Sequence, residues 1–331
     1  MNKRERLEAA ISGQAADRIP VALWRHFPGD DQDPASLSVA TVAYQKRWDF
    51  DFVKVTPASS FQIKDWGVQD VWLGNTEGTR QYTHHPIKHA GDWRRLKALE
   101  THSGALGEQL KCLQMIVAAL PDVPVIQTVF SPLAQMKNLA GERLLIDLRQ
   151  NTTDFKAGLE IITQSTLDFV REIAATGAAG VFYAVQHATS NLLSEAEFVE
   201  FGREYDLRIL TATRGYWLNV MHLHGDNVYF DAVADYPVQI WNWHDRETGP
   251  SLTDGLAKIK GAACGGIARD TVMLQGEPEA VRRQVEDAIA QTKGRRYIVG
   301  TGCVTMIPTP EVNIRTAIES ATANPAILNL K

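Results

Sequence analysis

Short apolar runs rich in β-branched and aromatic residues alternate with longer amphipathic segments along the chain. Runs of about four to eight such residues are typical of buried strands, and an apolar period near 3.6 is typical of helices. The pattern predicts eight core strands, at Ile19–Trp24, Phe50–Thr56, Val123–Val129, Gly180–Val185, Leu218–His224, Val238–Trp243, Ala263–Ile267 and Tyr297–Thr301. It predicts helices at Thr153–Ala175 and Glu277–Thr292, and a capping box of Ser194 and Glu197 at the start of another.

Eight strands that alternate with helices favour a parallel sheet closed into a (β/α)8 TIM barrel. The alternative, an open doubly wound sheet, usually carries a glycine-rich phosphate turn that this sequence lacks. The long segment Ala58–Asp122 contains FQIKDWGVQDVWLG and RQYTHHP, which predict an extra hairpin inserted after the second strand. We expect one domain over residues 1–331, with the insertion on the face where barrel active sites form.

Composition and charge narrow the function classes. Hydrophobic residues make up 44% and charged residues 22% of the 331 positions, which is typical of a globular protein. A net charge of −5 without a basic run argues against binding to nucleic acid or anionic membranes. Three cysteines and no apolar leader at the N-terminus favour a reducing, cytoplasmic location.

The strongest chemical signal is the sequence VMHLHGDN at the end of the fifth predicted strand. Residues two apart on a strand project to the same side, so His222 and His224 point together, as metal ligands do. Cys303 follows the last strand and lies on the same face of a barrel, where it would complete a His/His/Cys site with one open position. The alternatives are two pocket histidines without a metal and a buried, unreactive cysteine.

Other polar residues at strand ends are candidates for binding or orienting a substrate. His244, with Asn242, follows the sixth strand and is placed to complete or orient the metal shell, and Asp245 to hold an imidazole. Arg25 follows the first strand and is a natural anchor for a carboxylate, although a salt bridge to a loop acid is an alternative. Tyr183 and Gln186 are expected to line the same mouth and orient the substrate.

These segments resemble the uroporphyrinogen decarboxylase superfamily over nearly the whole chain. The resemblance is carried by DRIPVALWR, FDFVKVTP, VFSPLAQM, MHLHGDN, IWNWHD, ACGGI, LQGEPEAV, YIVGTGCV and TPEVNI. It implies a (β/α)8 barrel with the active site at its mouth. The superfamily contains the decarboxylases of haem synthesis and corrinoid-dependent methyltransferases that bind zinc.

The sequence departs from the true decarboxylases at the positions that carry their chemistry. Arg25 matches the first arginine of their R-x-x-x-R motif, but Gly29 occupies the second. Their essential aspartate has no counterpart in residues 56–60, and their tyrosine and histidine align near Asn138 and with Thr301. The resemblance therefore argues against decarboxylation of a haem precursor.

The zinc methyltransferase branch is a better match. His222, Gly225 and Cys303 match its H-x-C-G and G-C motifs, and His224 replaces the first cysteine. An imidazole in place of a thiolate makes bound zinc a stronger Lewis acid, suited to an oxygen or amine ligand. The resemblance thus implies an enzyme that transfers a methyl group to or from a small molecule, with cobalamin carried by a partner corrinoid protein.

Two other functions remain open from the sequence. One is a carboxy-lyase that acts on a different acid without a metal, and the other is a module that binds a tetrapyrrole or corrinoid without catalysis. The oligomeric state is also open, with a homodimer among the alternatives.

Overall fold

A computed structural model describes residues 1–322, and residues 323–331 of the predicted domain lie outside that range. Seven strands form one parallel sheet in the order β1-β4-β5-β6-β7-β8-β9. These strands are β1 (Val53–Val55), β4 (Val125–Phe130), β5 (Gly180–Val185), β6 (Val220–Leu223), β7 (Ile240–Trp243), β8 (Ala262–Ile267) and β9 (Tyr297–Thr301). The sheet curls and is flanked by helices, which is consistent with a TIM-like barrel.

The helices cover the outer face of the sheet. They are α1 (Lys3–Ser12), α2 (Pro34–Trp48), α3 (Gly104–Ala119), α4 (Pro132–Ala140), α5 (Arg143–Gln150), α6 (Thr152–Ile173), α7 (Glu195–Phe198), α8 (Glu204–Ala212), α9 (Leu252–Lys258), α10 (Pro278–Thr292) and α11 (Glu311–Thr322). The predicted capping box of Ser194 and Glu197 is confirmed at the start of α7. Within residues 1–322, no helix is both long and apolar enough to cross a membrane.

The first predicted strand, Ile19–Trp24, forms only an isolated parallel bridge between Val21 and Val299 of β9. On its other side, the carbonyl oxygen of Val21 accepts a hydrogen bond from the backbone N–H of Asp51, just before β1. The segment therefore lies between the two edge strands of the curled sheet without forming a strand of its own.

Two short antiparallel strands, β2 (Gln69–Val71) and β3 (Gln81–His84), lie between β1 and α3. Their pairing shifts register between Gln69 and Asp70. A β-bulge of this kind increases the local twist of a hairpin. The loop between β2 and β3 reaches the C-terminal edge of the main sheet, where the backbone N–H of Ile307 donates to the carbonyl of Thr76.

A buried carboxylate ties the N-terminal segment to the sheet. Asp51 is fully buried and accepts hydrogen bonds at 2.7 Å from Arg6, Arg18 and the backbone N–H of Val21. Removing one member of a buried ion cluster leaves the other charges unpaired in a poorly solvated place, which is strongly destabilising.

We expect Asp51→Asn to lower the free energy of unfolding by about 3–5 kcal/mol, because it removes the buried charge that pairs with the buried Arg6 and the half-buried Arg18. Urea denaturation followed by circular dichroism measures this change. The matched control is Asp231→Asn, whose exposed ion pair with Lys258 should contribute less than about 1 kcal/mol. Equal losses in the two variants would contradict this role of Asp51.

Candidate metal centre and cavity

Four side chains that could hold a metal ion meet at the C-terminal edge of the sheet. His222 is in β6, His224 follows it, His244 follows β7 and Cys303 follows β9. One donor atom from each lies within 4.8 Å of the corresponding atoms of the other three. We call these four residues the His/Cys cluster. The strands are parallel, so their C-terminal ends lie at one edge and bring together residues far apart in sequence.

The distances within the His/Cys cluster are regular. His222 Nε2 and His244 Nε2 each lie 3.4 Å from His224 Nδ1. The sulfur of Cys303 lies 3.6 Å from His222 Nε2 and 3.7 Å from His224 Nδ1. His222, His244 and Cys303 are buried and His224 is half-buried, so the four donor atoms converge in a place with little water.

Close backbone packing brings Cys303 to the histidines. A Cβ atom on Gly302 would lie 2.7 Å from the Cα of His244 and 2.8 Å from the carbonyl oxygen of Trp243. Both are backbone atoms that cannot move aside easily, so only glycine allows the segment after β9 to approach the end of β7 this closely.

Asn242 fixes the orientation and tautomer of His222. Its side-chain NH2 donates to the carbonyl oxygens of Cys264 and Thr301 at 2.8 and 2.9 Å, so its Oδ1 is left as an acceptor. That oxygen lies 2.6 Å from His222 Nδ1, which must therefore be the protonated nitrogen. The lone pair of Nε2 then faces the His/Cys cluster, as metal binding requires.

The sequence suggested that Asp245 holds an imidazole, and this is wrong. Its carboxylate accepts a hydrogen bond from the backbone N–H of Gly266 at 3.1 Å and lies 3.7 Å from Arg246. Burial raises the pKa of Asp245 to about 6. Asn242 orients an imidazole instead, that of His222. Side chains alternate along β7, so Asn242 shares the inner face of the sheet with His244 two residues later, whereas Asp245 does not.

The metal-free cluster favours an ionised thiol. Burial raises the pKa of Cys303, but its interactions with His222 and hydrogen bonding to His224 and His244 hold it well below its usual value. Burial lowers the pKa of His222. Burial also lowers the pKa of His224, but the hydrogen bond to Cys303 and the negative charges of Cys303 and Glu77 together outweigh it, so the pKa of His224 is raised. We therefore assign the shared proton to His224, which donates it towards the sulfur.

A cavity of about 280 Å³ opens beside the His/Cys cluster. It is lined by Trp24, His26, Lys54, Ser59, Glu77, Thr79, Thr128, Phe130, Phe182, Ala184, Gln186, His222, His224, Cys303 and Val304. The three metal ligands expected from the sequence thus line the cavity, together with Gln186. His244 belongs to the cluster but is not among the lining residues.

The loop between β2 and β3 covers part of this cavity. Glu77 and Thr79 line it, and Glu77 forms an ion pair with Arg269 at 2.9 Å. A Cβ atom on Gly78 would lie 2.6 Å from the Cβ of His26, so the loop packs tightly against the segment after Val21. Burial lowers the pKa of His26 to about 3, with further lowering by the positive charges of Lys54 and Arg269.

Arg25 does not reach the cavity, contrary to the role predicted from the sequence. Its guanidinium lies over the rings of Phe27 and Tyr44, at 5.0 and 5.2 Å from their centroids. Its Nη1 also donates a long hydrogen bond of 3.4 Å to the carbonyl of Ile307. Stacking on aromatic faces therefore occupies this cation, and the next residue, His26, faces the cavity instead.

Tyr183, which the sequence placed at the mouth to orient a substrate, is not among the residues that line the cavity. Its hydroxyl donates to Asp206 of α8 at 2.6 Å, and Tyr236 donates to the same carboxylate at 2.8 Å. Burial raises the pKa of Asp206 to about 7. Alternation along β5 explains the difference, since Phe182 and Ala184 face the cavity and the residue between them faces the helices.

Sequence reasoning missed Lys54 as a cavity residue. It lies in β1, is only 8% exposed, and its Nζ lies 4.7 Å from the ring centroid of Phe182. Burial lowers its pKa to about 7, and the charge of Cys303 opposes this change. The sequence did contain a signal, the single lysine in the run FDFVKVTP. Strand positions in such an apolar run are not expected to face solvent, so a lysine there is unusual.

We expect iodoacetamide to modify Cys303 selectively in the folded, metal-free protein at about pH 7, because the histidines keep it ionised. The pKa of Cys112 is raised to about 12 by burial and that of Cys264 is also raised, so both serve as internal controls. Peptide mass spectrometry measures the three rates, and added zinc should protect Cys303. Equal rates at all three cysteines would contradict the assigned ionisation.

Comparisons with known proteins identify the family. No curated protein matches the chain in sequence. The structure is similar to a methyltransferase from Methanosarcina mazei (TM-score 0.84, 17% identity, 97% of this chain and 98% of that chain). It is also similar to a B12-independent methionine synthase from Shewanella sp. W3-18-1 (TM-score 0.58, 12% identity, 96% of each chain). The family model described as uroporphyrinogen decarboxylase (URO-D) matches residues 2–323, so the chain belongs to the uroporphyrinogen decarboxylase family.

Proposed function

We propose that this protein is a zinc-dependent methyltransferase that acts, together with a corrinoid protein, on a small methylated or methyl-accepting substrate. The observation that carries the proposal is the spacing of donor atoms in the His/Cys cluster. Tetrahedral zinc with Zn–N of about 2.05 Å and Zn–S of about 2.3 Å separates two nitrogens by roughly 3.4 Å and nitrogen from sulfur by roughly 3.6 Å. Four of the six donor pairs in the cluster lie at 3.4 Å or at 3.6–3.7 Å, and all six lie within 4.8 Å.

The donor types also fit zinc. Imidazole nitrogen and thiolate are its common protein ligands, and the set contains no carboxylate that would favour magnesium or calcium. We assign His222, His224 and Cys303, which line the cavity, as zinc ligands, and His244 as a fourth donor. A substrate atom that enters from the cavity would bind in place of His244 or as a fifth ligand.

The chain's own groups prepare the site for one reaction class. Asn242 holds His222 with its free nitrogen towards the cluster, and the pairing of Cys303 with His224 keeps the sulfur ionised before a metal binds. Zinc, when bound, supplies a Lewis acid that polarises the oxygen or nitrogen atom carrying or accepting the methyl group. Gln186 offers an amide that orients the substrate, and the loop with Glu77 and Thr79 limits access of water.

The size of the cavity favours a small substrate and a corrinoid carried by another protein. Its volume of about 280 Å³ is at the lower end of ligand pockets and is small for a tetrapyrrole. This argues against the alternative of a tetrapyrrole-binding module. One protein of similar fold is described as a methyltransferase and another as a methionine synthase, and the first description supports methyl transfer. One of them is described as B12-independent, so transfer without cobalamin is an outcome that the assay must distinguish.

A metal-independent carboxy-lyase is the second candidate from the sequence. The arginine that was expected to anchor the substrate of such an enzyme does not face the cavity, because Arg25 stacks on Phe27 and Tyr44 instead. A lyase of this kind would keep its activity after chelation, whereas the proposed transferase would lose it.

We expect about one zinc per chain in protein purified without chelator, and loss of most of it in His222→Ala and Cys303→Ala, because three ligands hold zinc much less tightly than four. Plasma mass spectrometry measures the metal. With added cob(I)alamin as acceptor and methoxylated acids or methylamines as donors, the visible spectrum of cobalamin follows methyl transfer. Without cobalamin, a thiol is the acceptor, and mass spectrometry measures the demethylated and methylated products. His84→Ala, in the exposed strand β3, is the control and should keep both properties.

Loss of metal together with loss of methyl transfer supports the proposal. Retention of zinc and activity in both ligand variants would contradict it. Activity that resists chelation and releases carbon dioxide would instead support the carboxy-lyase.

A further inference from the structure

Lys54 is a buried amine without a counter-ion of its own, and burial lowers its pKa to about 7, so a bound anion would favour its charged form. It is the central residue of the edge strand β1, and it is 8% exposed. Across residues 1–322 its Nζ has neither a hydrogen-bond acceptor nor a carboxylate within ion-pair distance. Its only close partner is the face of Phe182, with the Nζ 4.7 Å from the ring centroid. A buried ammonium group with so little compensation is costly, so a ligand that supplies the missing acceptor gains strongly from binding there.

Among the ionisable groups that line the cavity, Lys54 is the one whose charge is not balanced by a neighbour. The single carboxylate that lines the cavity, Glu77, is paired with Arg269. His26 has its pKa lowered to about 3, so it is neutral near pH 7. In the metal-free site the proton assigned to His224 balances the thiolate of Cys303, and a bound divalent metal would leave one positive charge after pairing with that thiolate. The cavity therefore attracts an anionic ligand in either state.

Lys54 and the His/Cys cluster lie on opposite sides of the Phe182 ring. Phe182 lies between the two, because its ring is 4.7 Å from Lys54 Nζ and stacks on His222 with centroids 5.4 Å apart. Trp24, Phe130, Phe182 and Ala184 line the same space and provide an apolar surface beside it. The cavity thus has an amine at one end, the donor atoms of the His/Cys cluster at the other, and an apolar wall between them.

We infer that Lys54 binds the carboxylate of the substrate, which is a small organic acid with an apolar body. Its methylated or methyl-accepting oxygen or nitrogen then points towards the His/Cys cluster. The second statement rests on the proposed function, whereas binding of the acid by Lys54 does not. A single amine suits a singly charged carboxylate, since phosphate groups usually require several donors or a helix N-terminus.

Calorimetric titration of the purified protein, with and without added zinc, tests this inference. The probes are 4-methoxybenzoate and methoxyacetate, each compared with its neutral amide. Lys54→Met should weaken binding of at least one carboxylate by about tenfold or more, because a hydrogen bond to a charged group is lost. The amides should change by less than about threefold. Lys54→Arg should restore most of the difference between acid and amide.

Arg25→Met is the matched control, since it removes one positive charge from the same end of the sheet but outside the cavity. It should leave the preference for acids unchanged. Lys54→Met should also raise the midpoint of thermal unfolding, because methionine has no charge to bury, and this shows that the variant folds.

The inference is overturned if no carboxylate binds wild type more tightly than its amide, or if Lys54→Met and wild type bind the acids equally. The second result would indicate that the acids bind the metal rather than the lysine. These measurements do not require turnover, so preferential binding of acids without any methyl transfer would contradict the proposed function and leave the role of Lys54 intact.

Discussion

The site depends on the convergence of three imidazoles and one thiolate at a single point. Imidazole and thiolate groups are well solvated in water, and burying them costs free energy. The surrounding structure must therefore hold them in place. Parallel strands supply the positions, the amide of Asn242 supplies the orientation of His222, and Gly302 allows the backbone approach that brings in Cys303. Every other feature of the cavity is arranged around this cluster.

The outline of the fold and the centre of the site could be predicted from the sequence. The limits of β5 and β9 agree with the predicted strands, because long apolar runs bounded by glycine or polar residues leave little choice of conformation. His222, His224 and Cys303 could be placed together because strand ends in a parallel sheet share one edge. The first strand was predicted longer than the isolated bridge at Val21, since propensity does not determine how many ladder hydrogen bonds form.

The direction of individual side chains was harder to predict. Tyr183 and Phe182 are neighbours on one strand, and a strand buried on both faces gives no polar pattern to tell the inner side from the outer. Arg25 lies past the end of regular pairing, where its direction depends on the aromatic rings of other segments. Lys54 was overlooked because an isolated charge in an apolar run has no meaning until its neighbours in space are known.

The central claim is that His222, His224 and Cys303 bind zinc at the mouth of the cavity. X-ray absorption spectroscopy at the zinc edge tests it most directly, because sulfur and nitrogen ligands are distinguished by distance. We expect one sulfur at about 2.3 Å and two or three nitrogens at about 2.0–2.1 Å, with the sulfur lost in Cys303→Ala. A zinc shell without sulfur in the wild-type protein, or a sulfur that persists in Cys303→Ala, would rule out Cys303 as a zinc ligand.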